Sequence, residues 1–402
     1  MRVASPLEPG IWTPATPAGR PGLPFLPTPP RVGEKKHMAT SQHMSRALAL
    51  AQKARHQTSP NPMVGAVLVR EGKVVGEGYH HRAGGAHAEV AALKKAGRLA
   101  RGATIYVTLE PCSHQGRTGP CTEALLAAGV SRVVVAMEDP DPRVRGAGIR
   151  WLRARDIGVE VGDGAYQAEA LNRRWLLSRR AGRPFVALKY ASTLDGKIAT
   201  RDGDSHWVSG AEARRRTHAL RSAYDAIAVG ANTVLVDDPE LTARSDGDQH
   251  RGRQPVRVVV DGRLRVSSSA RVFDPQLPGR SMVATTDAAA DRHGKKLRAS
   301  GVDVRAFAGS GGVEIVPLLE ALAAEGVTSV LVEGGGELGW SFVASGTVDH
   351  VYAFVAPQLV GGKTSPTPVG GEGFPDMAHA LKLEFVSQSA LGDDILIEAV
   401  PA

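Results

Sequence analysis

The sequence predicts two successive α/β domains, and three observations lead to this fold class. The chain has 402 residues, more than a single hydrophobic core usually holds. Short apolar runs alternate with patterns of helical period from residue 41 onward, which is typical of layered α/β sheets. A helical pattern over residues 165–180 is then broken by Gly182-Arg183-Pro184. We therefore expect one domain at residues 41–182 and a second, larger one at residues 183–402.

Residues 1–37 are expected to form a disordered tail. They hold nine of the 26 prolines and show no apolar periodicity, so they cannot bury enough surface to become ordered. Residues 1–40 carry five basic and two acidic residues, which is +3 of the net charge of +8. Met38 and Met44 are both candidates for the true start.

Composition narrows the functional class. With 42% apolar and 22% charged residues, the chain is typical of soluble globular proteins. It has no apolar run of membrane-spanning length and no secretion signal, so we expect a cytoplasmic protein with no membrane partner. Aromatic residues reach only 5% and no basic run interleaves with them, which argues against a nucleic-acid partner. Scattered arginines suit a phosphorylated small molecule equally well.

The elements of the first domain follow one another in βαβαβ order. A helical pattern begins at Ser41, and a strand pair at residues 64–69 and 73–78 surrounds Glu71-Gly72. Strands are predicted at residues 104–109 and 132–138, with helices beginning at His87 and near Cys121. His87 and Cys121 thus lie at the amino termini of two predicted helices, where the helix dipole favours thiolate over thiol.

His87, Cys112 and Cys121 predict a mononuclear zinc site. The two cysteines are the only ones in the chain, and one imidazole with two thiolates leaves a fourth coordination position for water, as in catalytic zinc sites. The order His87-Ala88-Glu89, Pro111-Cys112 and Cys121 follows the pattern of zinc-dependent base deaminases, with a longer gap between the cysteines. Zinc would lower the pKa of a coordinated water towards neutrality. Glu89 is predicted to be the proton shuttle and not a ligand.

Three other interpretations of this motif remain open. A disulfide could close the short gap between the cysteines, although two cysteines in a chain of this length are not a disulfide framework. A closed structural zinc site in a binding protein would need a fourth protein ligand, and His114 is the nearest candidate. A nucleic-acid base deaminase would use the same metal chemistry, but it would also need a basic face that tracks phosphates.

The second domain is predicted from strand-like runs separated by helical segments. The strands are expected at residues 185–190, 225–229, 255–260, 281–285, 302–308, 328–332 and 350–355, and helices at residues 211–222 and 316–324. The turn Gly334-Gly335-Gly336 follows one strand and precedes another helical pattern, as in phosphate-binding turns. A turn of three glycines more often binds no ligand than binds a phosphate. This one also lacks the G-x-G-x-x-G fingerprint of dinucleotide-binding domains.

Several polar clusters follow apolar strands of this domain, where ligand loops of open α/β sheets gather. They are residues 192–197, Ser205-His206-Trp207, residues 230–233 and residues 237–242. Arg221 and Arg244 are candidate clamps for an anion, although most single arginines are simply solvated.

From residue 41 to its end the chain resembles the bifunctional deaminase/reductase family of bacterial riboflavin biosynthesis. In the first half the resemblance rests on residues 59–65, Gly78-Tyr79-His80, residues 83–89, residues 108–114, Gly116-Arg117-Thr118 and Cys121. In the second half it rests on residues 193–197, Ser205, Trp207, Asp237-Asp238-Pro239 and Glu333-Gly334-Gly335. It departs from the family in the tail and at Gly119, where the family usually has a proline.

The resemblance implies a cytidine-deaminase-like α/β/α domain followed by a dihydrofolate-reductase-like α/β domain. The first would hydrolyse the 2-amino group of 2,5-diamino-6-(5-phosphoribosylamino)pyrimidin-4(3H)-one, with one Zn²⁺ per chain. The second would use NADPH to reduce the ribosyl group of the product to ribityl. A homo-oligomer is also expected.

The resemblance also assigns site residues. It gives zinc to His87, Cys112 and Cys121, proton transfer to Glu89, and the pyrimidine pocket to Asn61 and His80. NADPH would contact Ala191, Trp207, Thr233, Asp237, Gly335, Gly336, Glu337, Leu338, Gly339, Trp340 and Ser341. The reductase substrate would contact Ser205, Arg221, Leu241, Arg244 and Glu333, with the two arginines on its phosphate.

Overall fold

The computed structural model describes residues 40–55, 57–115, 119–141, 144–244, 253–309 and 311–402. The predicted tail at residues 1–37 and the segment Gly116-Arg117-Thr118 lie outside these described residues. The described chain contains two α/β sheets, one in each half, as the alternation of apolar runs predicts.

A mixed five-stranded sheet in the order β2-β1-β3-β4-β5 forms the first half. Its strands are β1 (Gly65–Arg70), β2 (Lys73–Tyr79), β3 (Thr104–Val107), β4 (Arg132–Val135) and β5 (Gly158–Val161). β1 pairs antiparallel with β2 and β3, whereas β3, β4 and β5 are parallel. The helices in this half are α1 (Gln42–Gln52), α2 (Ala88–Ala96), α3 (Cys121–Ala127) and α4 (Ala147–Arg153). The elements α4 and β5 were not predicted from the sequence.

Alternation of side chains along the strands builds two cores on this sheet. Ala66 and Leu68 of β1 face α2, α3 and α4. Val67 and Val69 face α1 on the other side. Gly78 lets α2 approach β2 closely, because a Cβ there would lie 2.4 Å from the carbonyl oxygen of Ala88. This close packing fixes the amino terminus of α2, where His87 lies.

The connection between the halves consists of two helices, α5 (Ala165–Leu171) and α6 (Arg173–Ala181). The prediction of one continuous linking helix was wrong. The break lies at Asn172, whose φ of −102° and ψ of 15° are not helical. The Asn172 side chain accepts from Met63 N at 2.8 Å and donates to Met63 O at 2.9 Å. The helix is interrupted where this buried amide binds the backbone of the first domain.

The second half contains a nine-stranded sheet in the order β10-β9-β8-β7-β11-β6-β12-β14-β13. The strands are β6 (Phe185–Thr193), β7 (Ala226–Gly230), β8 (Val256–Val260), β9 (Ser281–Thr286), β10 (Asp303–Phe307), β11 (Ser329–Val332), β12 (His350–Ala356), β13 (Leu383–Leu391) and β14 (Asp394–Pro401). The seven strands from β10 to β12 are parallel, and β14 and β13 add an antiparallel hairpin.

Five helices and two apolar cores accompany this sheet. The helices are α7 (Ala211–Ala223), α8 (Ala231–Asp237), α9 (Asp287–Ala299), α10 (Ile315–Ala324) and α11 (Gly336–Ala344). The helices α8 and α9 and the β13–β14 hairpin were not predicted from the sequence. No helix among the described residues combines the length and apolar character needed to cross a membrane.

Candidate active sites

Three potential metal ligands converge at the edge of the first sheet. His87 precedes α2, Cys121 is the first residue of α3, and Cys112 lies in the segment after β3. His87 Nδ1 is 3.1 Å from Cys121 Sγ and 3.6 Å from Cys112 Sγ. The three donor atoms all lie within 4.8 Å of one another. The structure thus brings together the three residues that the sequence assigns to zinc.

The geometry of this cluster fits a zinc ion. Tetrahedral zinc with typical Zn–N and Zn–S bonds holds neighbouring donors roughly 3.5 Å apart, close to the spacing observed here. Both cysteines are free thiols, so the disulfide interpretation is wrong. Within the described chain no fourth histidine, cysteine or carboxylate joins the cluster, and His114 is exposed. These observations favour a site with an open coordination position over a closed structural one.

Hydrogen bonds within the cluster shift the pKa values of its two thiols in opposite directions. The bond from Cys121, together with one from His87, lowers the pKa of the Cys112 thiol to about 4. The proton that the two thiols share remains on Cys121, whose pKa is raised by Cys112 and by burial. A divalent cation would displace this proton, since metal binding requires both sulfurs as thiolates.

Glu89 lies on the first turn of α2, two residues after His87, and its side chain is buried with only 3% exposure. Burial raises the pKa of the Glu89 carboxyl above its ordinary value. A raised pKa makes a carboxylate a better proton acceptor, as removal of a proton from water requires. Glu89 is absent from the metal-ligating cluster, which agrees with a role in proton transfer.

Asn61 and His80 lie beside the cluster and bind each other. Asn61 Nδ2 is 3.0 Å from His80 Nε2, and His80 Nδ1 is 3.0 Å from the carbonyl oxygen of Ala86. Because a carbonyl oxygen only accepts, His80 Nδ1 carries the proton and Nε2 accepts from Asn61. Burial lowers the pKa of His80, which keeps this neutral tautomer. The His80 ring meets the His87 ring edge-on at 5.5 Å.

A second group of predicted site residues gathers at the carboxyl ends of β6, β7 and β11. Ala191 lies near the end of β6, Thr233 and Asp237 lie on α8 directly after β7, and Glu333 directly follows β11. Ser205 and Trp207 lie in a turn before α7, and Trp207 is 65% exposed. Asp237 is close enough to His206 for the two side chains to interact electrostatically. Carboxyl ends of parallel strands are where open α/β sheets bind ligands.

A buried ion pair joins Arg221 to Glu333 in this cleft. Arg221 donates from Nε and Nη2 to the two carboxylate oxygens, each at 2.9 Å, and Lys189 Nζ lies 3.9 Å from Glu333 Oε2. The guanidinium fork that we expected on a phosphate is therefore directed at Glu333. Both residues remain predicted substrate contacts, but Arg221 binds the carboxylate of Glu333 here, where we expected it to bind the substrate phosphate.

Arg244 and Leu241 lie on the segment that follows α8. Arg244 forms an ion pair with Glu240, and its Nε donates to Thr242 Oγ1 at 3.3 Å. Leu241 is buried and has a φ of +56°, an uncommon conformation for a residue with a side chain. Glu240 also pairs with Arg271. Two arginines therefore bind the carboxylate of Glu240 and stabilise this segment.

The predicted NADPH-binding run extends from Gly335 along α11. Gly335 precedes the helix, and a Cβ built on it would have no atom within 4 Å. Gly336 is packed instead, since its Cβ would lie 2.6 Å from the carbonyl oxygen of Thr367. Leu338 and Gly339 are buried, whereas Glu337 is exposed and Trp340 and Ser341 are half-buried. Gly335 is thus the open point of the turn, the position where the sequence predicts that a cofactor phosphate approaches the backbone amides of α11.

Comparisons with known proteins place both halves of the chain. Residues 184–397 match the model of the RibD C-terminal domain, and residues 38–137 match the cytidine and deoxycytidylate deaminase zinc-binding region. The riboflavin biosynthesis protein RibD of Actinobacillus pleuropneumoniae is 41% identical over 368 residues, 91% of this chain and 96% of the relative. The Escherichia coli protein of the same name is 40% identical over 91% of this chain and all of its own length. The chain belongs to the RibD family.

Solved structures of RibD proteins have the same fold. A structure of Acinetobacter baumannii RibD has a TM-score of 0.81 at 37% identity and covers 90% of this chain and 98% of its own. A deaminase/reductase from Thermotoga maritima, with a TM-score of 0.77 at 36% identity, covers the same shares of the two chains. These matches confirm the predicted α/β fold class with its deaminase-like and reductase-like parts.

Glu110 is a buried residue whose structural role was not predicted from the sequence, although it lies within residues 108–114 that carry the family resemblance. The carboxylate of Glu110 accepts hydrogen bonds from the backbone of Asp139, Gly146 and Gly148 at 2.9–3.1 Å. Glu110 therefore caps α4 and anchors the segment that carries Cys112. The signal available in the sequence was an acidic residue directly after a predicted strand and two positions before a metal ligand.

Proposed function

We propose that this chain catalyses two reactions of riboflavin biosynthesis. One is zinc-dependent hydrolytic deamination of 2,5-diamino-6-(5-phosphoribosylamino)pyrimidin-4(3H)-one. The other is NADPH-dependent reduction of the ribosyl group of the product to ribityl. The observation that carries the proposal is the open His87, Cys112 and Cys121 cluster with buried Glu89 beside it, in a chain whose other half matches the RibD C-terminal domain.

The residues of the first domain, proposed to span residues 41–182, divide the deamination between them. His87, Cys112 and Cys121 would hold the zinc ion, which when bound supplies the Lewis acidity that makes water nucleophilic at neutral pH. Glu89 takes one proton from the attacking water at its carboxylate and delivers it to the pyrimidine nitrogen, and it then carries the second proton, from the newly formed hydroxyl, to the leaving amine. A carbon–oxygen bond forms, the carbon–nitrogen bond breaks, and ammonia leaves.

Asn61 and His80 orient the pyrimidine in this proposal. Because the fixed tautomer of His80 engages the amide nitrogen of Asn61, Asn61 offers its amide oxygen to the N–H groups of the ring. Holding the ring in one orientation places the carbon with the 2-amino group beside the cluster.

The second domain, proposed to span residues 183–402, would hold NADPH and the sugar phosphate in the cleft above β6, β7 and β11. Its cofactor, when bound, supplies the hydride for the sugar carbon that becomes C1 of ribityl. Gly335 and the amino terminus of α11 suit a cofactor phosphate, while Ala191, Trp207, Thr233 and Asp237 line the rest of its path. Ser205, Leu241, Arg244 and Glu333 would position the phosphorylated substrate.

The remaining expectations accompany this function. A small phosphorylated substrate requires neither a nucleic-acid partner nor a membrane, and we propose a cytoplasmic homo-oligomer. Incubating the purified protein with the diaminopyrimidine phosphate tests the function directly. We expect ammonia release without NADPH, and oxidation of NADPH only after deamination. A protein that releases no ammonia while containing one zinc ion per chain would disprove the proposal.

A further inference from the structure

The loop at residues 58–63 carries Asn61 into the proposed deaminase pocket. Its turn is closed by a hydrogen bond from Asn61 N to Thr58 O at 2.8 Å. Thr58 is buried, and the loop leads directly into β1. The position of the Asn61 side chain therefore depends on how this loop is supported.

The support comes from the sheet of the other half of the chain. Ser59 Oγ donates to Asp225 Oδ2 at 2.8 Å and lies 3.2 Å from Thr328 Oγ1. Thr328 donates to the same Asp225 oxygen through both its backbone nitrogen and its hydroxyl, each at 2.6 Å. Asp225 is only 3% exposed. A buried carboxylate makes strong charge-assisted hydrogen bonds, so it holds Ser59 firmly.

Two further contacts fix the same loop. Arg179 of α6 donates to Pro60 O at 3.4 Å. The buried Asn172 side chain binds both the backbone N–H and the carbonyl oxygen of Met63. The loop that carries Asn61 is therefore held by the second sheet at one end and by the connecting helices at the other.

We propose that Asp225 and Thr328 are positioning residues for the deaminase reaction, although they lie directly before two strands of the reductase sheet. They hold Ser59, and thereby keep the Asn61 amide at 3.0 Å from His80 in the orientation that binds the pyrimidine. The inference rests on the proposed function, because it concerns the pocket of that reaction. It extends that function by making the deaminase pocket depend on the second domain.

The location of these residues makes this role separable from reduction. Asp225 directly precedes β7 and Thr328 directly precedes β11, and these two strands are neighbours. The reductase cleft lies at the opposite, carboxyl ends of the same strands. A change at Asp225 or Thr328 is therefore expected to affect the distant deaminase pocket more than the cleft of its own sheet.

The test compares Ser59→Ala and Thr328→Val with wild type in the full-length zinc-loaded protein. We expect the KM for the diaminopyrimidine phosphate to rise about threefold to tenfold while kcat changes little, within the range of coupling between residues that do not contact ligand. Zinc content and reduction of supplied deaminated intermediate should be unchanged. Hydrogen exchange of residues 57–64 should become faster, because the loop opens more often.

Matched variants separate positioning from general damage. Ser131→Ala removes another serine hydroxyl of the first domain, one that donates to Gly102 O and Ala103 O, and should leave both reactions unchanged. Ser59→Thr keeps the hydroxyl and should have the KM of the wild type for the diaminopyrimidine phosphate. Unchanged deamination in Ser59→Ala and Thr328→Val, or equal losses in both reactions, would overturn the inference. Absence of deamination in wild type would instead refute the proposed function itself.

Discussion

Arg221 of α7 and Glu333 at the end of β11 form a two-pronged ion pair, with both nitrogen–oxygen distances at 2.9 Å. Burial by itself would raise the pKa of Glu333, but the charges of Arg221 and Lys189 outweigh burial and lower it. The carboxylate therefore stays ionised in the reductase cleft. Its orientation is set by Arg221, which suits the substrate contact that we propose for Glu333.

The first prediction concerns the loss of one partner of this pair. Arg221→Ala leaves the buried Glu333 carboxylate with Lys189, 3.9 Å away, as its remaining ion-pair partner among the described residues, and removal of one partner from a buried pair costs about 3–5 kcal/mol. We expect a lower free energy of unfolding by that order and a strongly reduced rate of NADPH-dependent reduction. Denaturant unfolding and the two activity assays measure these effects.

Arg215→Ala is the matched control, because Arg215 lies on the same helix with an exposed side chain. Its effect on unfolding should stay within about 0.5 kcal/mol. Equal stability of the Arg221→Ala and Arg215→Ala variants would contradict the importance of the pair.

The second prediction concerns pH. Because the pKa of Glu333 is lower in the folded protein than its ordinary value, its stabilising contribution is present above about pH 4.3 and is lost as the pH falls through the folded pKa. The Glu333→Gln variant lacks the ionisable carboxyl group, so this contribution is absent from its stability at every pH. The difference in unfolding free energy between wild type and Glu333→Gln should therefore shrink between pH 7 and pH 3. Glu320→Gln, at an exposed position of α10, provides the control, and a difference in unfolding free energy that stays constant across this range would refute the argument.

The third prediction separates the zinc ligands from Glu89. Glu89→Gln should retain one zinc ion per chain and lower the deamination rate on the order of 10²-fold or more. Cys112→Ser should lose zinc and deamination together. Both variants should still reduce the supplied deaminated intermediate, because the reductase cleft lies on the other sheet. Metal analysis with both assays decides the matter, and loss of zinc in Glu89→Gln would make Glu89 a structural support or a ligand.

The fourth prediction tests how the Cys112 segment is anchored. A Cβ at Gly148 would lie 2.0 Å from the carbonyl oxygen of Pro111, so Gly148→Ala must displace the segment that leads into Cys112. We expect a loss of about 1–3 kcal/mol in unfolding free energy and weaker zinc retention against a chelator. Gly158→Ala is the control, since the nearest atom to its Cβ would be 3.8 Å away. Normal zinc retention in Gly148→Ala would show that the segment adapts.

Local patterns in the sequence predicted much of this fold. The strands of both sheets from β1 to β4 and from β6 to β12 have apolar runs that periodicity detects. The β13–β14 hairpin was missed because β13 is exposed along most of its length and so lacks the apolar contrast of a buried strand. Asn172 was taken for an ordinary helical residue, since its partner Met63 is 109 positions away.

The candidate sites were predictable to different degrees for a related reason. His87, Cys112 and Cys121 are chemically specific residues, and their spacing alone suggests a common metal. The partners of Arg221, Glu110 and Ser59 are backbone or carboxylate groups that only the tertiary structure brings near. A single sequence therefore indicates which arginine is a candidate, but it does not indicate that Glu333 occupies its fork.

The last prediction addresses cofactor binding at Gly335. Its backbone has a φ of −72° and a ψ of −178°, which any residue can adopt, and a Cβ there meets no atom within 4 Å. Gly335→Val should therefore fold normally but place a branched side chain where a cofactor phosphate would approach the amides of α11. We expect the KM for NADPH to rise about tenfold, equivalent to about 1.4 kcal/mol, with deamination unchanged. Gly311→Val, at another open glycine beyond β10, should leave both constants unchanged. If Gly335→Val instead raised only the KM for the sugar phosphate, the positions assigned to cofactor and substrate in this cleft would have to be exchanged.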